Sequence, residues 1–195
     1  MRKIITSFHM SLDNVVSNPE KWMLMSDDIL KSAMHYYEQL DTAVFGSKTY
    51  PLLAGYWTNA EQTSVSDIEK QFAQRINGIN KIVLSRSNVE IVWQNSELLK
   101  FSDIQSLSES LEHLKQLNGK NISVESGVGL WKLFLKNSFF DELVVSIHPV
   151  IVGKGDRLFL NFQNKEELIL KSHKIFNNGV VELHYTKSKN NLAKV

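Results

Sequence analysis

The stretch "ISVESGVGLWKLFL", residues 122–135, changes from one hydrophobic periodicity to another, and this change decides the fold class. Its first three residues are a short apolar run typical of a buried strand, whereas its end has the spacing of a helix. Ser126, Gly127 and Gly129 lie where the pattern changes. Two explanations for the glycines are open. One is a tight turn that needs positive φ angles, and the other is a close approach of the backbone to a phosphate at the helix N-terminus.

The same order of strand and then helix recurs through the first two thirds of the chain. Helical periodicity begins after capping residues such as Ser26, and Gly119 stands where a helix C-cap is expected. We predict helices over 26–40, 47–57, 64–76, 102–119 and 130–137. We predict strands over 4–8, 42–46, 81–85 and 121–125, with "VEIVW", residues 89–93, as a neighbouring strand.

The last third of the chain has a different pattern. Residues 141–153, 165–176 and 180–187 predict strands, and "NNG" between the last two predicts a hairpin turn. Alternating strands and helices followed by strands alone indicate an α/β fold, with a mostly parallel central sheet and antiparallel C-terminal strands. No linker or repeat divides the chain, so we predict a single domain over residues 1–195.

The composition excludes several classes of function. The chain has no cysteine, which rules out disulfides and thiolate metal sites, and its six histidines show no metal-ligand spacing. A formal net charge of +1 gives no general attraction to nucleic acid. No apolar run approaches the roughly 18 residues that a membrane span needs. We therefore expect a cytoplasmic protein without a metal, a nucleic-acid partner or a membrane anchor.

Small polar and basic residues follow three of the predicted strands, in "FGSKTY", "LSRS" and "ESGVG". In an α/β sheet, ligands bind at the C-terminal strand ends, where helix N-termini present free N–H groups. Lys48 and Arg86 add cations beside hydroxyl groups, a combination that suits a phosphate dianion. Each junction alone could be a capped helix or a polar turn. Three on one sheet predict a phosphate-rich ligand such as a dinucleotide.

The acids nearest this predicted edge are Asp13, Asp27 and Asp28. Asp27 and Asp28 could instead stabilise the first turn of a helix, and Asp13 could be a turn residue of "LDN". Trp22, in the loop after the first strand, is a candidate for the core or for the border of a pocket. His148 precedes a proline within a predicted strand and is interpreted as structural.

Several of these segments together resemble the dihydrofolate-reductase-like superfamily, and more narrowly the reductase domain of bacterial riboflavin biosynthesis. They are "SFHMSLDNVVS", "AVFGSKTY", "KIVLSRS", "ISVESGVGLWKLFL" and "DELVVSIHPVIVGKGDRLF", in the family's order. The resemblance covers nearly the whole chain and implies that family's three-layer fold. Two positions depart from its pattern: "SLDN" replaces SLDG, and Ser126 replaces the first glycine of a Gly-Gly pair.

The resemblance implies NADPH as the cofactor and assigns its contacts. "GSKT" would touch phosphates, "LSRS" would hold the 2′-phosphate, and "SGVGL" would lie beneath the pyrophosphate. Folate enzymes have a cis peptide in the last of these turns, so a cis bond between Ser126 and Gly127 is a hypothesis. The implied cofactor-binding residues are His9, Ser47, Lys48, Thr49, Ser85, Arg86, Ser87, Ser126, Gly127, Val128, Gly129 and Leu130.

The implied function is an NADPH-dependent reductase of a small heterocyclic substrate, specifically a 5-amino-6-(5-phosphoribosylamino)uracil reductase. The hydride would be transferred near His9 and Asp13, and an acid of the folate type would correspond to Asp27 or Asp28, so the catalytic candidates are Asp13 and Asp28. The resemblance also implies a homodimer formed through the C-terminal strands. Two alternatives stay open: a non-catalytic, NADP-binding dimeric scaffold, and a true dihydrofolate reductase.

Overall fold

The computed structural model describes residues 1–160, 162 and 165–188. Within them the chain forms eight strands, five α-helices and a short 3₁₀ helix, Pro19–Lys21. The strands are β1 Ile4–Ser11, β2 Leu40–Gly46, β3 Asn80–Ser85, β4 Ser96–Lys100, β5 Asn121–Val124, β6 Glu142–His148, β7 Leu168–Ile175 and β8 Val181–Lys187. The helices are α1 Asp27–Glu38, α2 Tyr50–Thr63, α3 Asp67–Gly78, α4 Ile104–Gln116 and α5 Val128–Lys136. None of these helices is long and apolar enough to cross a bilayer.

All eight strands join one sheet in the order β4-β3-β2-β5-β1-β6-β8-β7. The six strands from β4 to β6 pair in parallel, whereas β8 is antiparallel to both β6 and β7. The predicted fold class is therefore confirmed, including the antiparallel end. Because neighbouring parallel strands end at the same edge, the C-terminal ends of β3, β2, β5 and β1 lie side by side.

Two large apolar clusters pack on the sheet and fix the helices. Buried side chains of α3 and the end of α1 pack with β2 and β3 around Phe45 and Trp93, whereas α4 and α5 pack around Ile122 and Phe134. Local capping agrees with the predicted helix starts: Ser26 Oγ accepts from the N–H of Ile29, and Asp103 forms a capping box with Ser106.

The strand predicted over residues 89–93 is wrong, because the fourth strand is Ser96–Lys100. The N–H groups of Val92 and Trp93 both donate to the hydroxyl of Tyr50, at 3.2 and 2.8 Å. The indole N–H of Trp93 donates to Asn77 Oδ1 at 2.7 Å. A distant side chain therefore takes the backbone donors that a strand would have used, and the apolar run anchors a loop to the core.

The prediction for Gly119 is also corrected. Helix α4 ends at Gln116 with Leu117 as its C-cap, so Gly119 lies in the following loop. Its φ of 150° and the Asp41 carboxylate beside it leave no room for a side chain. The predicted single domain extends over residues 189–195, which lie outside the described residues.

Candidate functional site

The ends of β2 and β5 pack directly against each other. The N–H of Gly46 donates to Ser126 Oγ at 2.9 Å, and a Cβ atom on Gly127 would lie only 2.8 Å from Thr49 Oγ1. Gly127 has an extended backbone with φ −115°, and neither it nor Gly129 has a positive φ. The explanation by a turn with positive φ is therefore wrong. Gly127 packs closely on the Thr49 hydroxyl, and the approach of its backbone to a phosphate stays a prediction. The hypothesis of a cis bond at Ser126–Gly127 is also wrong, since the described residues contain no cis peptide.

Two helices begin at this junction without a side-chain cap. In α5, the first intrahelical hydrogen bonds come from Leu130 and Trp131 to the carbonyl of Gly127, so the amides of Val128 and Gly129 precede them. Helix α2 begins after Thr49, whose side chain makes no capping bond. Both N-termini lie at the C-terminal edge of the sheet. Uncapped amides and the positive end of a helix dipole favour an anion.

The third predicted junction lies beside the first, because β3 pairs with β2 and Leu84 is opposite Gly46. Ser85 is buried, and its Oγ accepts from the N–H of Ser87 at 3.1 Å. Arg86 is exposed, with its guanidinium 5.6 Å from the ring centre of Phe101. Lys48 is exposed as well. Neither cation forms an ion pair with any residue of the described ranges.

A cavity of about 260 Å³ opens next to these junctions, between the sheet and helices α1, α2 and α3. Its walls are mainly aromatic and aliphatic, and Ser126 lines it as well as bonding the end of β2. The remaining polar side chains in the lining are Ser7, His9, Tyr36, Tyr37, Glu125, Ser146 and Glu182. A larger cavity of about 600 Å³ lies at the opposite edge, around Lys3 and Asp141, away from all three junctions.

Within the described residues, Glu125 is one of two acids that line the cavity, together with Glu182. Glu125 follows β5 directly, and Ser123 Oγ donates to its Oε1 at 2.6 Å. The hydroxyl of Tyr36 lies 2.7 Å from the same Ser123 Oγ, so a chain of hydroxyls leads to the carboxyl. Burial raises the pKa of Glu125 to about 7, although hydrogen bonds from Ser123 and Tyr37 act in the opposite direction. A carboxyl that titrates near neutrality can hold a proton and deliver it.

His9 also lines the cavity and is paired with a second histidine. Its Nδ1 lies 2.9 Å from Nε2 of His148, which is fully buried at the end of β6. The N–H of Leu24 donates to His148 Nδ1 at 3.0 Å. The pKa of both rings is lowered to about 4, in His148 by burial and in His9 by burial together with the neighbouring His148 ring. Both histidines are therefore neutral at physiological pH.

The structure does not bring Asp13 to the cavity. Its carboxylate accepts from the N–H groups of Val152 and Gly153, both at 2.9 Å, and from Ser11 Oγ at 2.7 Å. Arg157 adds an ion pair at 3.2 Å. These hydrogen bonds, led by that from Val152, hold the pKa of Asp13 well below its usual range. Asp13 therefore links the loop after β1 to the 152–157 loop, and at neutral pH it is ionised and has no proton to donate.

Asp28 and Trp22 likewise lie outside the cavity lining. Asp28 accepts from Asn177 Nδ2 at 2.9 Å, in the turn between β7 and β8. The neighbouring Ile29 and Leu30 point into the cavity instead, so the helix turns Asp28 away from it. Trp22 is buried and donates to the carbonyl of Ser17 at 2.9 Å, which agrees with the core interpretation.

The sequence reasoning missed Glu125 although it quoted the residue within "ESGVG". The available signal was its place: a carboxylate at the end of the strand predicted over 121–125, directly before Ser126 and Gly127. Tyr36 and Tyr37 gave less signal, because adjacent aromatic residues on a helix are usually assigned to the core. Here they reach the cavity and contact the Glu125 system.

Known proteins are similar to this chain in sequence or in fold. The uncharacterized protein YyaP of Bacillus subtilis (strain 168) is 28% identical over 187 residues, which cover 94% of each chain. A putative riboflavin biosynthesis protein from Shewanella sp. PV-4 superposes with a TM-score of 0.70 at 16% identity, over 96% of this chain and 99% of that one. Dihydrofolate reductase from Enterococcus faecalis, in complex with NADP(H), gives 0.63 at 12% identity, over 96% and 97%.

These structural likenesses confirm the dihydrofolate-reductase-like fold that the sequence predicted. The family model of the RibD C-terminal domain matches residues 2–182, nearly the whole length of the chain. The chain belongs to the RibD C-terminal domain family.

Proposed function

We propose that the protein is an NADPH-dependent reductase of a small heterocyclic substrate. One observation carries the proposal: Ser126 has two positions in the structure. Its Oγ accepts from the N–H of Gly46 at the strand ends, and its side chain lines the cavity that also contains Glu125. Ser126, at the proposed anion-binding edge, is therefore the residue next to Glu125, the proposed proton donor. The family and its structural neighbours support an oxidoreductase.

The residues at the strand ends fit a dinucleotide phosphate. Lys48 and Arg86 are exposed cations without an ion pair in the described chain, and the N-termini of α2 and α5 lack side-chain caps. At Gly127 any side chain would meet Thr49, so the backbone itself forms the surface. Ser47, Lys48 and Thr49 would hold phosphates, Ser85, Arg86 and Ser87 the 2′-phosphate, and Ser126, Gly127, Val128, Gly129 and Leu130 the pyrophosphate. The cofactor, when bound, supplies the hydride.

The chain's own residues then place the substrate and supply the proton. The aromatic side chains of Trp57 and Trp131 give the cavity walls that suit a planar ring. Glu125 holds a proton below about pH 7 and releases it to the reduced atom, and the Tyr36–Ser123 hydroxyl chain can return it. His9 provides a neutral ring edge in the same cavity.

The finer proposal concerns the substrate. The resemblance favours 5-amino-6-(5-phosphoribosylamino)uracil, whose pyrimidine ring fits a cavity of this size and polarity. Its ribosyl phosphate fits less well inside, because the described lining includes the carboxyl groups of Glu125 and Glu182 and no lysine or arginine. We therefore place the pyrimidine ring in the cavity and any phosphate at its mouth, and an uncharged heterocycle is the alternative substrate.

Replacing Arg86 with alanine tests the proposed cofactor. We expect wild-type protein to bind NADPH at least tenfold more tightly than NADH, about 1.4 kcal/mol, and Arg86→Ala to remove that preference. Lys48→Ala is the matched control, because a cation at the shared phosphates should weaken both cofactors alike. Tryptophan fluorescence titrations of the three proteins with both cofactors measure this. Equal losses for both cofactors in Arg86→Ala would contradict the 2′-phosphate role. No binding of either cofactor to the wild type would contradict both the proposed function and the NADP-binding scaffold.

The homodimer stays a prediction. Strand β7 ends the sheet formed by the described residues, and it exposes Ile169, Leu170 and Ile175, the last by 69%. Apolar side chains beside an open strand edge favour pairing with another chain. Light scattering after size-exclusion chromatography, with Ile175→Glu for comparison, would measure the oligomeric state.

A further inference from the structure

The two histidines and the amide of Leu24 form a directed chain. His9 lies on β1 and His148 at the end of β6, the strand that pairs with β1. Leu24 belongs to the 22–25 segment, whose Met23 and Met25 line the cavity. Strand β1 and the 22–25 segment, near the start of the chain, therefore both bond to His148: the N–H of Leu24 at 3.0 Å and His9 at 2.9 Å.

The direction of these bonds follows from the first donor. A backbone N–H can only donate, so His148 Nδ1 must accept and carries no proton. The buried ring is neutral, so its single proton is on Nε2, which donates to His9 Nδ1. His9 is neutral too, and its Nδ1 is now an acceptor. The proton of His9 must therefore be on Nε2.

The Nε2 edge of His9 is the one left for a ligand. His9 Nε2 has no hydrogen-bond partner among the described residues. It is also not fully buried, so a ligand can reach it. The side chain lines the same cavity as Glu125. An accessible N–H in a mainly apolar cavity discriminates strongly between ligands. A ligand without a matching acceptor would bury this N–H unpaired and would bind more weakly.

We propose that His9 Nε2–H is a fixed hydrogen-bond donor to a carbonyl or carboxamide oxygen in the cavity, and that His148, held by the amide of Leu24, is the positioning residue that fixes it. The ligand part of this inference rests on the proposed function. The oxygen belongs either to the nicotinamide carboxamide or to the heterocyclic substrate.

The first test needs no activity and no ligand. In protein labelled with ¹⁵N in its histidines, long-range ¹H–¹⁵N spectra identify the protonated nitrogen of each ring. We expect His9 and His148 both as Nε2–H tautomers at pH 7, without titration between pH 5.5 and 8. A protonated Nδ1 in either ring, or a ring that charges within that interval, would overturn the proposed chain.

Two substitutions of His148 separate positioning from packing. In His148→Gln, the side-chain amide offers an acceptor and a donor on neighbouring atoms, and it can replace both ring nitrogens. In His148→Leu, the volume is similar but neither bond forms. We expect His148→Gln to keep the Nε2–H tautomer of His9, and His148→Leu to give a mixture of tautomers and about tenfold weaker NADP⁺ binding or a tenfold higher KM. Equal loss in both variants, or in neither, would reduce His148 to a structural residue.

Two probes identify the oxygen. If NADP⁺ shifts the His9 Nε2–H resonance and adenosine 2′,5′-bisphosphate does not, the carboxamide is the acceptor. If only uracil added to the NADP⁺ complex shifts it, the substrate carbonyl is the acceptor. If the other cavity resonances shift and this one does not, the ligand part is overturned. If NADP⁺ shifts no resonance at all, the proposed function fails, while the tautomer spectra still decide the role of His148.

Discussion

Replacing Glu125 with glutamine should lower the kcat/KM of reduction by about 100-fold or more at pH 6, because proton delivery by a positioned acid contributes typically 10²–10⁴-fold. Glutamine preserves the shape of the side chain and can still accept from Ser123, whose Oγ lies 2.6 Å from Glu125 Oε1. It cannot transfer a proton. Stopped-flow measurement of cofactor oxidation under single-turnover conditions isolates the chemical step from product release. NADPH affinity should stay nearly unchanged, since the cations assigned to its phosphates lie elsewhere.

The pH profile tells a proton donor from a residue that only shapes the cavity. The pKa of Glu125 is raised to about 7, so the acid form is present below pH 7 and kcat/KM should fall about tenfold per pH unit above it. Ser123→Ala removes a hydrogen bond that lowers this pKa, so it should move the falling limb to higher pH. Glu125→Gln should lose the limb altogether. A profile that keeps its limb near pH 7 in Glu125→Gln would assign the proton to another group.

The sequence was sufficient for the architecture because its evidence is periodic and local. Buried strands followed by capped helices predict parallel pairing, and parallel pairing alone brings "GSKT", "LSRS" and "ESGVG" to one edge of the sheet. The adjacency of Gly46 and Ser126 is thus a consequence of the strand order, once β2 and β5 are neighbours. The failed strand at 89–93 marks the limit of local evidence, since the hydroxyl that holds Trp93 comes from Tyr50, 43 residues away.

The acids show why the chemistry was harder to predict than the fold. Asp13 precedes a turn and resembles a site residue locally, but the 152–157 loop returns to occupy its carboxylate. Glu125 is unremarkable locally, and its raised pKa depends on burial beneath α1, with Tyr36 some 90 residues earlier in the chain. Whether a carboxyl is a structural anchor or a proton donor is decided by what folds over it, and no short motif records that.

Removing the carboxylate of Glu142 should produce the largest loss of stability of any single substitution considered for this chain. Glu142 begins β6 and is only 3% exposed, and it binds Lys3 Nζ at 2.6 Å, Lys171 Nζ at 2.9 Å and His184 Nε2 at 2.7 Å. These partners come from the segment before β1, from β7 and from β8. Glu142→Ala leaves Lys3 and Lys171 without their counter-charge. Because these two side chains are themselves 50% and 40% exposed, water partly replaces the carboxylate, and we expect a loss of about 2–3 kcal/mol of unfolding free energy.

The matched control is an ion pair of the same type at the surface. Lys165 and Glu167 lie 2.6 Å apart but are 82% and 52% exposed, so Glu167→Gln should leave the unfolding free energy almost unchanged. Urea denaturation of the wild type and both variants at pH 7 measures the difference. A large loss in both variants would show that charge in this region matters in general, and a small loss in Glu142→Ala would show that the network is not held together by its carboxylate.

The dependence on pH gives the same substitution a second, independent signature. Burial alone would raise the pKa of Glu142, but the hydrogen bonds from His184, Lys3 and Lys171 outweigh it and hold the pKa well below the ordinary value of 4.5. A group whose pKa is lower in the folded state stabilises the protein above its unfolded pKa, and this stabilisation is lost as the pH falls below that value. The gap in unfolding free energy between wild type and Glu142→Ala should therefore be full at pH 7, begin to narrow near pH 4.5 and decrease steadily below it. A gap that stays constant down to pH 3 would mean that the loss comes from the missing side-chain volume. Packing, and not charge, would then join β6 to β7, to β8 and to the segment before β1.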